Sequence, residues 1–361
     1  MKIGIITQPL RGNYGGLLQN YALQEILIQL GYEPITLEIM SVRTGLKNVI
    51  YQLINLIKYI IGKSSHPILP YAPYRSNPSI IEFVKKYLKT SNTLLNSFPS
   101  ILVKHLGLNT IIVGSDQVWR PKYNAHLSDM YLKFCKNDKI KKIAYAASFG
   151  TSEFEYNRAQ TQECSRLLTK FYSVSVRESS GLNILARLKY KYGVQVLDPT
   201  LLIGKSGFDK LLSQDLTAKE NPYLGCYILD NSQEINYIIK KISVDNGLSI
   251  IKRIGENTDG FGPLEWIEII KNSQLFITDS FHGTVFCILY HVPFISFINS
   301  NRGADRFISL LEPLGLLKCL VVDISDFDNI DMHIDWEKVD NILNIHRNHS
   351  LLFLKNSLLV S

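Results

Sequence analysis

The chain has 361 residues, 46% hydrophobic and 20% charged, so it exceeds the usual size of one core and has enough apolar material for two domains. Its formal charge is +7, but it has no lysine- and arginine-rich block with interleaved aromatic residues. This pattern argues against a nucleic-acid partner and favours anionic small molecules or an anionic membrane face. The five widely spaced cysteines, without a CxxC pair, argue against both a disulfide framework and a zinc site.

The first predicted elements are a strand, a loop and a helix. Residues 2–7 form a short apolar, largely β-branched run, and a glycine- and asparagine-rich stretch follows it as the loop. Apolar residues at helical spacing from Leu17 onwards predict a helix that ends at Gly31. The run PITLEI is a second strand, which completes a βαβ-like opening typical of a parallel sheet.

Residues 43–63 form an amphipathic segment in which three lysines are interspersed among leucine, isoleucine and tyrosine. One interpretation is an ordinary core helix. The other is an interfacial helix whose apolar face enters the headgroup region while its lysines meet anionic lipid. Residues 64–80 contain four prolines, which predicts a loop there.

The rest of the chain alternates between predicted strands and helices. Four strand-like runs lie between residues 109 and 198, and a second α/β series follows a junction near Asp198-Pro199 and residues 204–207. We therefore expect an α/β protein with two Rossmann-like domains, residues 1–203 and 204–361, facing a ligand cleft lined by strand carboxyl ends. A final helix near Trp336 to Phe353 would close the chain, with the option of packing back on the first domain.

Two motifs follow strands of the first half. In GNYGG, glycines allow a ligand to approach the backbone at the start of a helix, where an anion is favoured; the alternative is a plain tight turn. In GSDQVW, a carboxylate and an amide are suited to sugar hydroxyls and the indole to the apolar face of a sugar ring. The alternative for Asp116 is that it caps the following turn.

Two further residues stand at strand ends. Arg177 has the planar fork that suits a carboxylate or a phosphate, although the adjacent Glu178 could make it a structural ion pair. His282, in TDSFHGTVFCILY, follows an apolar strand at the start of an apolar helix, so we expect it to project from the helix amino terminus into the cleft. A lone histidine is otherwise usually structural.

The amino terminus has too short an apolar run for a secretory signal, and no segment has the roughly 18 uninterrupted apolar residues of a spanning helix. With its widely spaced cysteines, this favours a cytoplasmic protein. The 43–63 segment leaves room for peripheral contact with the inner face of the membrane.

An ordered set of motifs resembles the polysaccharide pyruvyl transferase family. They run from residue 12 to about 317: GNYGGLLQNYAL, VGSDQVW, YAASFG, SVRE, LDPTLL, TDSFHGTVFCILY, NRGADRF and LLEPLGL. The resemblance implies a two-domain, glycosyltransferase B-type fold. It also implies transfer of a pyruvyl group from phosphoenolpyruvate to a sugar of a cell-surface polysaccharide or its lipid-linked precursor, with phosphoenolpyruvate as donor substrate and no further cofactor.

Position by position, the resemblance makes His282 the histidine near the donor and Arg177 the donor-binding arginine. Many relatives carry a basic residue directly before that histidine, where this chain has Phe281, and Arg302 and Arg306 are the nearest candidates to replace it. The alternative for both arginines is a solvated surface position.

The reaction implied by the resemblance gives each candidate residue a role. His282 would act as general acid and base, and Asp116 would orient or deprotonate an acceptor hydroxyl. The residues expected to bind the donor are Arg177, Ser280, Gly283, Arg302 and Arg306. The residues expected to bind the acceptor are Asn13, Tyr14, Gly15, Ser115, Gln117 and Trp119.

No clustered set of histidine, aspartate and cysteine ligands is visible in the sequence, so we expect no metal site. Two rival functions remain open. One is a glycosyltransferase that uses a nucleotide-sugar donor in the same cleft, and the other is a non-catalytic glycan- or anion-binding relative, for which Phe281 is the supporting feature.

Overall fold

The structure is a computed structural model. It describes residues 1–38, 53–54, 56–57, 60–61, 77–91, 100–124, 126–212, 221–255, 261–298, 303–323, 327 and 330–359. Among the helices in these ranges, none combines the length and hydropathy that crossing a bilayer requires.

Within the described ranges, the first half has six strands: β1 (Lys2–Ile6), β2 (Glu33–Thr36), β3 (Thr110–Val113), β4 (Lys141–Ala147), β5 (Ser173–Val176) and β6 (Val194–Gln195). They form one parallel sheet in the order β2-β1-β3-β4-β5-β6. Its helices are α1 (Tyr14–Gln29), α2 (Pro78–Tyr87), α3 (Ser100–His105), α4 (Arg158–Leu168) and α5 (Ser180–Arg187). Strands β1 and β3 to β5 are almost wholly buried, as parallel strands covered on both faces must be.

Two short helices, α6 (Pro199–Ile203) and α7 (Lys205–Asp209), lead to the second half. Its strands are β7 (Tyr223–Ile228), β8 (Ser249–Ile254), β9 (Leu275–Thr278), β10 (Phe294–Phe297) and β11 (Leu320–Val321). They form a second parallel sheet in the order β11-β10-β9-β7-β8. Its helices are α8 (Gln233–Asn246), α9 (Pro263–Lys271), α10 (Phe281–Tyr290), α11 (Asp305–Leu311) and α12 (Trp336–Leu358).

Both sheets place their strands in the same order. The first strand of each sheet lies between the second and the third. Successive strands are therefore added in opposite directions from β1 in one sheet and from β7 in the other, and the switch points lie between β1 and β3 and between β7 and β9. Parallel α/β sheets bind ligands beyond the carboxyl ends of the strands at such switch points. The expected fold of two Rossmann-like domains is confirmed, and each domain offers one switch point.

The two domains join through helices that share one apolar cluster. Helix α1 of the first domain packs on α9 of the second, and residues of α10 complete the contact. The buried side chains at this junction are Leu17, Leu18, Tyr21, Trp266, Ile267 and Phe286. Since this core holds the helices together, the amino termini of α1 and α10 are brought close to each other.

Two local predictions were wrong for reasons of helix capping. Helix α1 begins at Tyr14, not after the glycines, because the Asn13 side chain accepts a hydrogen bond from the Gly16 amide at 3.0 Å. Helix α2 begins at Pro78, inside the range predicted as loop, because proline is tolerated in the first turn of a helix. The segment 64–76, like most of 43–63, lies outside the described residues.

The last helix packs on the first sheet. Leu354 and Leu358 of α12 are buried in a cluster with Ile3 and Ile5, and Ser357 is hydrogen bonded to Ser173 at 2.7 Å. The chain therefore returns to the first domain at its end, and the predicted division at 203/204 stays a prediction.

Candidate active site

A small polar pocket lies where the two switch points meet. Its volume is about 120 Å³. The loops after β1, β3, β7 and β9 and the first turns of α1 and α10 supply most of its lining. The lining residues are Asn13, Gly15, Asp116, Gln117, Tyr227, Leu229, Asp279, Ser280, Phe281, His282 and Arg306. The structure thus brings together candidate residues that are far apart in the sequence.

Asp116 is fixed in an unusual backbone conformation. Its φ of 73° lies in the left-handed region, which costs a residue other than glycine about 1–3 kcal/mol. The carboxylate accepts hydrogen bonds from Asn13 Nδ2 at 3.0 Å and from the Gln117 amide at 2.9 Å. Asp116 therefore does cap its own turn, but it also lines the pocket and lies 3.8 Å from Arg177 Nη2.

His282 is held at the amino terminus of α10 by its neighbours. A Cβ atom added to Gly15 would lie 2.1 Å from His282 Nδ1, so this glycine is required for the imidazole to occupy its position. On its other side, Nε2 lies 3.6 Å from Asp198 Oδ2 and makes no hydrogen bond to any described residue. The ring is nearly buried but lines the pocket, which is the arrangement required of a group that exchanges protons with a bound ligand.

Asp198 is a buried carboxylate that contacts several residues of the site. Its Oδ2 accepts hydrogen bonds from Ser115 Oγ at 2.7 Å and from Arg177 Nη1 at 2.9 Å, while Oδ1 accepts from the amide and hydroxyl of Thr200. Burial alone would raise the pKa of this carboxyl, but His282, Arg177 and Thr200 together lower it well below its ordinary value. Asp198 is therefore ionised and anchors the site.

Arg177 ends β5 and is surrounded by carboxylates. Burial disfavours its charge, but Asp198, Asp116 and Glu178 outweigh burial and raise the pKa of the guanidinium. The expected alternative, an ion pair with Glu178, is present only at 3.9 Å, and the direct hydrogen bond goes to Asp198. Neither Nε nor Nη2 of Arg177 has a hydrogen-bond partner within the described part of the chain.

Arg306 reaches the site from the first turn of α11. It is buried, and burial together with the nearby Arg177 lowers its pKa to about 10, so it is still charged at neutral pH. Both guanidiniums lie over the ring of Phe281, Arg177 at 4.5 Å and Arg306 at 5.6 Å from its centroid. Phe281 thus forms a platform for two arginines, and Arg306 supplies a cation beside the histidine.

A larger cavity of about 410 Å³ lies on the other side of this arginine pair. Arg306 and Phe281 line both spaces, whereas Arg177 and Asp198 line only the larger one. Two arginines and one aspartate line the larger cavity, whereas two aspartates and one arginine line the small pocket. The larger cavity is therefore the more favourable space for an anion and the small pocket for a neutral ligand.

Three predicted acceptor residues are structural. The Trp119 indole is fully buried, stacks on Tyr131 at 4.9 Å and donates to the Met130 carbonyl, so it cannot contact a sugar. Tyr14 is buried and its hydroxyl donates to the Phe261 carbonyl across the domain junction. Ser115 is buried and binds Asp198. The sequence placed these residues after strands, but their side chains point into the protein.

The remaining candidates are Ser280, Gly283, Gln117 and Arg302, and they have different surroundings. Ser280 caps α10 by accepting from the Gly283 amide at 3.3 Å. Gly283 is explained by packing, because an added Cβ would lie 2.5 Å from Thr278 Oγ1. Gln117 lines the small pocket and accepts a hydrogen bond from Arg120. Arg302 lies outside the described residues.

Asp198 is a residue of the candidate site that the sequence did not reveal. The Asp-Pro pair was interpreted as a domain junction, whereas the carboxylate caps α6 and connects three candidate residues. Its signal was present in the sequence, because Asp198 follows the run VQVL just as Asp116 and His282 follow their own strands.

Comparisons with known proteins agree with the fold and identify the family. A model of the polysaccharide pyruvyl transferase family matches residues 13–301. The UDP-GlcNAc 2-epimerase of Neisseria meningitidis, solved with UDP-GlcNAc, is similar over 99% of both chains, with 9% identity and a TM-score of 0.52. A candidate UDP-N-acetylglucosamine 2-epimerase of Listeria monocytogenes is similar over 98% of this chain and 90% of its own, with 8% identity and a TM-score of 0.53.

At these identities the solved structures show the fold alone, a two-domain glycosyltransferase B-type arrangement. No curated protein matches the sequence significantly. The family model spans most of the chain. It includes the site residues that follow β1, β3 and β9, among them Asn13, Asp116 and His282. The chain belongs to the polysaccharide pyruvyl transferase family.

Proposed function

We propose that this protein transfers the pyruvyl group of phosphoenolpyruvate to a sugar of a cell-surface polysaccharide or its lipid-linked precursor, forming a cyclic pyruvate ketal. One observation carries the proposal: in a chain of this family, His282 lines a polar pocket that shares Arg306 and Phe281 with a larger cavity, which a second buried arginine, Arg177, also lines. The reaction needs a cationic space for the donor, a polar space for hydroxyls and a proton-transfer group near their boundary.

The donor fits the inner end of the larger cavity, which is the end lined by Arg177, Arg306 and Phe281. Phosphoenolpyruvate carries a carboxylate and a phosphate, and the guanidiniums of Arg177 and Arg306 are suited to both groups. Both arginines line this cavity, and their positive charges would attract an anion bound there. Fixed cations in a buried site stabilise the charge that leaves with phosphate, and they need no reorganisation during the reaction.

The acceptor sugar fits the small pocket. Gln117 offers an amide group to hydroxyls, and Asp116 offers a carboxylate that is held in place by hydrogen bonds from Asn13 Nδ2 and the Gln117 main-chain amide. Because aspartates outnumber arginines around this pocket, a neutral sugar is favoured there over a multiply charged donor. Arg306 and Phe281 line both spaces, so the acceptor hydroxyl would meet the donor carbon at this shared boundary.

The chemistry assigns His282 two proton transfers. The enol carbon of the donor gains a proton to become a methyl group, and one sugar hydroxyl attacks the adjacent carbon and loses its proton. The bond to phosphate then breaks, and a second hydroxyl attacks the same carbon while its proton leaves with the phosphate. A positioned histidine that donates and accepts these protons typically contributes about 10²–10⁴-fold in rate.

Incubation with phosphoenolpyruvate and a glycan acceptor tests the proposal. We expect inorganic phosphate to be released and the acceptor to gain a three-carbon acidic group. A parallel incubation with nucleotide sugars covers the rival chemistry of the fold: sugar transfer with nucleotide release there, and no phosphate from phosphoenolpyruvate, would overturn the assignment.

We further propose that residues 43–63 bring the protein to the membrane where a lipid-linked acceptor resides. The described residues in this segment are leucines and isoleucines, and each exposes between 38% and 73% of its surface. Such exposed apolar groups, with lysines nearby in the sequence, are typical of an interfacial helix. Co-sedimentation with anionic vesicles should decrease when Ile57 and Ile60 are both replaced by serine; equal binding by the variant would refute the proposal.

A further inference from the structure

The larger cavity extends well beyond its arginine pair. Its remaining wall comes from α11 and the turn after it, from the end of β6 and from α12. The side chains that form this wall are mainly apolar, with Leu310, Leu314 and Leu343 buried and His346 at the α12 side. A cavity of about 410 Å³ with apolar walls and a few convergent polar groups is typical of a site for a small organic ligand.

Its inner end is built for an anion. Arg177 is buried and lines this end of the cavity, with Asp198 hydrogen bonded to its Nη1 atom. Arg306 lies beside it, and burial together with the charge of Arg177 lowers the pKa of Arg306. An anionic group bound beside both guanidiniums would offset the repulsion between them.

A three-carbon donor would leave the apolar part of this cavity unfilled. We propose that the larger cavity also binds a bulkier amphipathic anion, whose phosphate or carboxylate head contacts Arg177 and Arg306 and whose apolar body of several carbons packs against Leu310, Leu314 and Leu343. Such a ligand excludes phosphoenolpyruvate, because both use the same arginines. Only this exclusion depends on the proposed function.

Calorimetric titration with n-alkyl phosphates from methyl to octyl tests the inference. Affinity should rise about fourfold for each methylene that is buried and then level off when the cavity is full. Inorganic phosphate should bind more weakly than hexyl phosphate by at least tenfold, and hexanol, which lacks the charge, should show no comparable binding. An affinity that does not depend on chain length would contradict a site with apolar walls.

A pair of variants on α12 localises the binding. His346 lines the cavity, whereas the neighbouring Asn348 is exposed and does not. His346→Trp should lower the affinity for hexyl phosphate at least tenfold by filling the space, and Asn348→Trp should leave it unchanged. Equal affinities for the two variants would place the ligand elsewhere and overturn the inference.

Competition separates this inference from the proposed function. Phosphoenolpyruvate should displace hexyl phosphate from the wild-type protein. If hexyl phosphate binds with the expected chain-length dependence but phosphoenolpyruvate neither displaces it nor reacts, the pyruvyl transfer is refuted and the amphipathic site stands. If phosphoenolpyruvate reacts and hexyl phosphate does not bind, the amphipathic site is refuted alone.

Discussion

At the scale of residues, the site depends on charges that are buried together. Asp198 hydrogen bonds Arg177 and lies 3.6 Å from His282, while Gly15 leaves room for the imidazole. Either charged group would be unfavourable if buried alone, because an uncompensated charge inside a protein costs several kcal/mol. The network therefore compensates these charges and fixes the position of the imidazole.

Replacing His282 separates catalysis from binding. His282→Gln should lower turnover by about 10²–10⁴-fold, because it removes the proton-transfer group and keeps a side chain of similar size. Phosphoenolpyruvate binding, measured by calorimetry, should change little since the arginines remain. His291→Gln is the matched control, because His291 is half exposed and hydrogen bonded to Asp340 on α12. A fully active His282→Gln variant would exclude the assigned role.

Replacing Asp198 tests the buried network through pH. The pKa of Asp198 is lowered in the folded protein, so its stabilisation is present above the unfolded pKa of about 3.9 and is lost as the pH falls further. Asp198→Asn should therefore cost about 3–5 kcal/mol in urea unfolding at pH 7 and progressively less below about pH 4. Asp138→Asn, at an exposed carboxylate, is the control. A cost independent of pH would argue against the network.

At the scale of elements, the amino termini of helices supply residues of the site, and the helix bodies hold these termini in place. Helices α1 and α10 direct their amino termini at each other because their bodies pack with α9 in one apolar cluster. The last helix, α12, has a different role, since it packs on the first sheet and also forms a wall of the larger cavity. Helix α12 therefore contacts both the first sheet and the larger cavity.

A leucine pair on α12 tests how much its packing on the first sheet contributes to stability. Leu354 is fully buried against the first sheet, whereas Leu352 exposes 57% of its surface. Leu354→Ala should lower the free energy of unfolding by about 2–5 kcal/mol, as removal of a buried leucine does elsewhere. Leu352→Ala should change it by less than about 0.5 kcal/mol. Similar urea midpoints for the two variants would mean that α12 does not depend on this contact.

The sequence predicted the elements better than the direction of their side chains. Apolar runs followed by polar residues located β1, β3, β5 and β9, because burial of a parallel strand leaves a clear pattern. What a residue contacts after such a strand depends on partners distant in the chain. Trp119 therefore could not be distinguished from a ligand platform, and Asp198 was interpreted as a junction although it contacts Ser115, Arg177 and His282.

At the scale of the whole molecule, two domains of the same strand order enclose one site. The site lies where the switch points of both sheets face each other, so neither domain alone contains Asp116 and His282 together. The order of motifs along the sequence predicted this architecture. The division into a small polar pocket and a larger cationic cavity could not be predicted, because it results from the placement of Phe281 beneath two arginines.

The most direct test of the pyruvyl transfer is mass spectrometry of the surface glycan from cells that lack this chain. We expect the glycan to lose a three-carbon acidic substituent, and expression of the wild-type protein, but not of His282→Gln, to restore it. A glycan whose composition is the same with and without the protein would contradict the assignment.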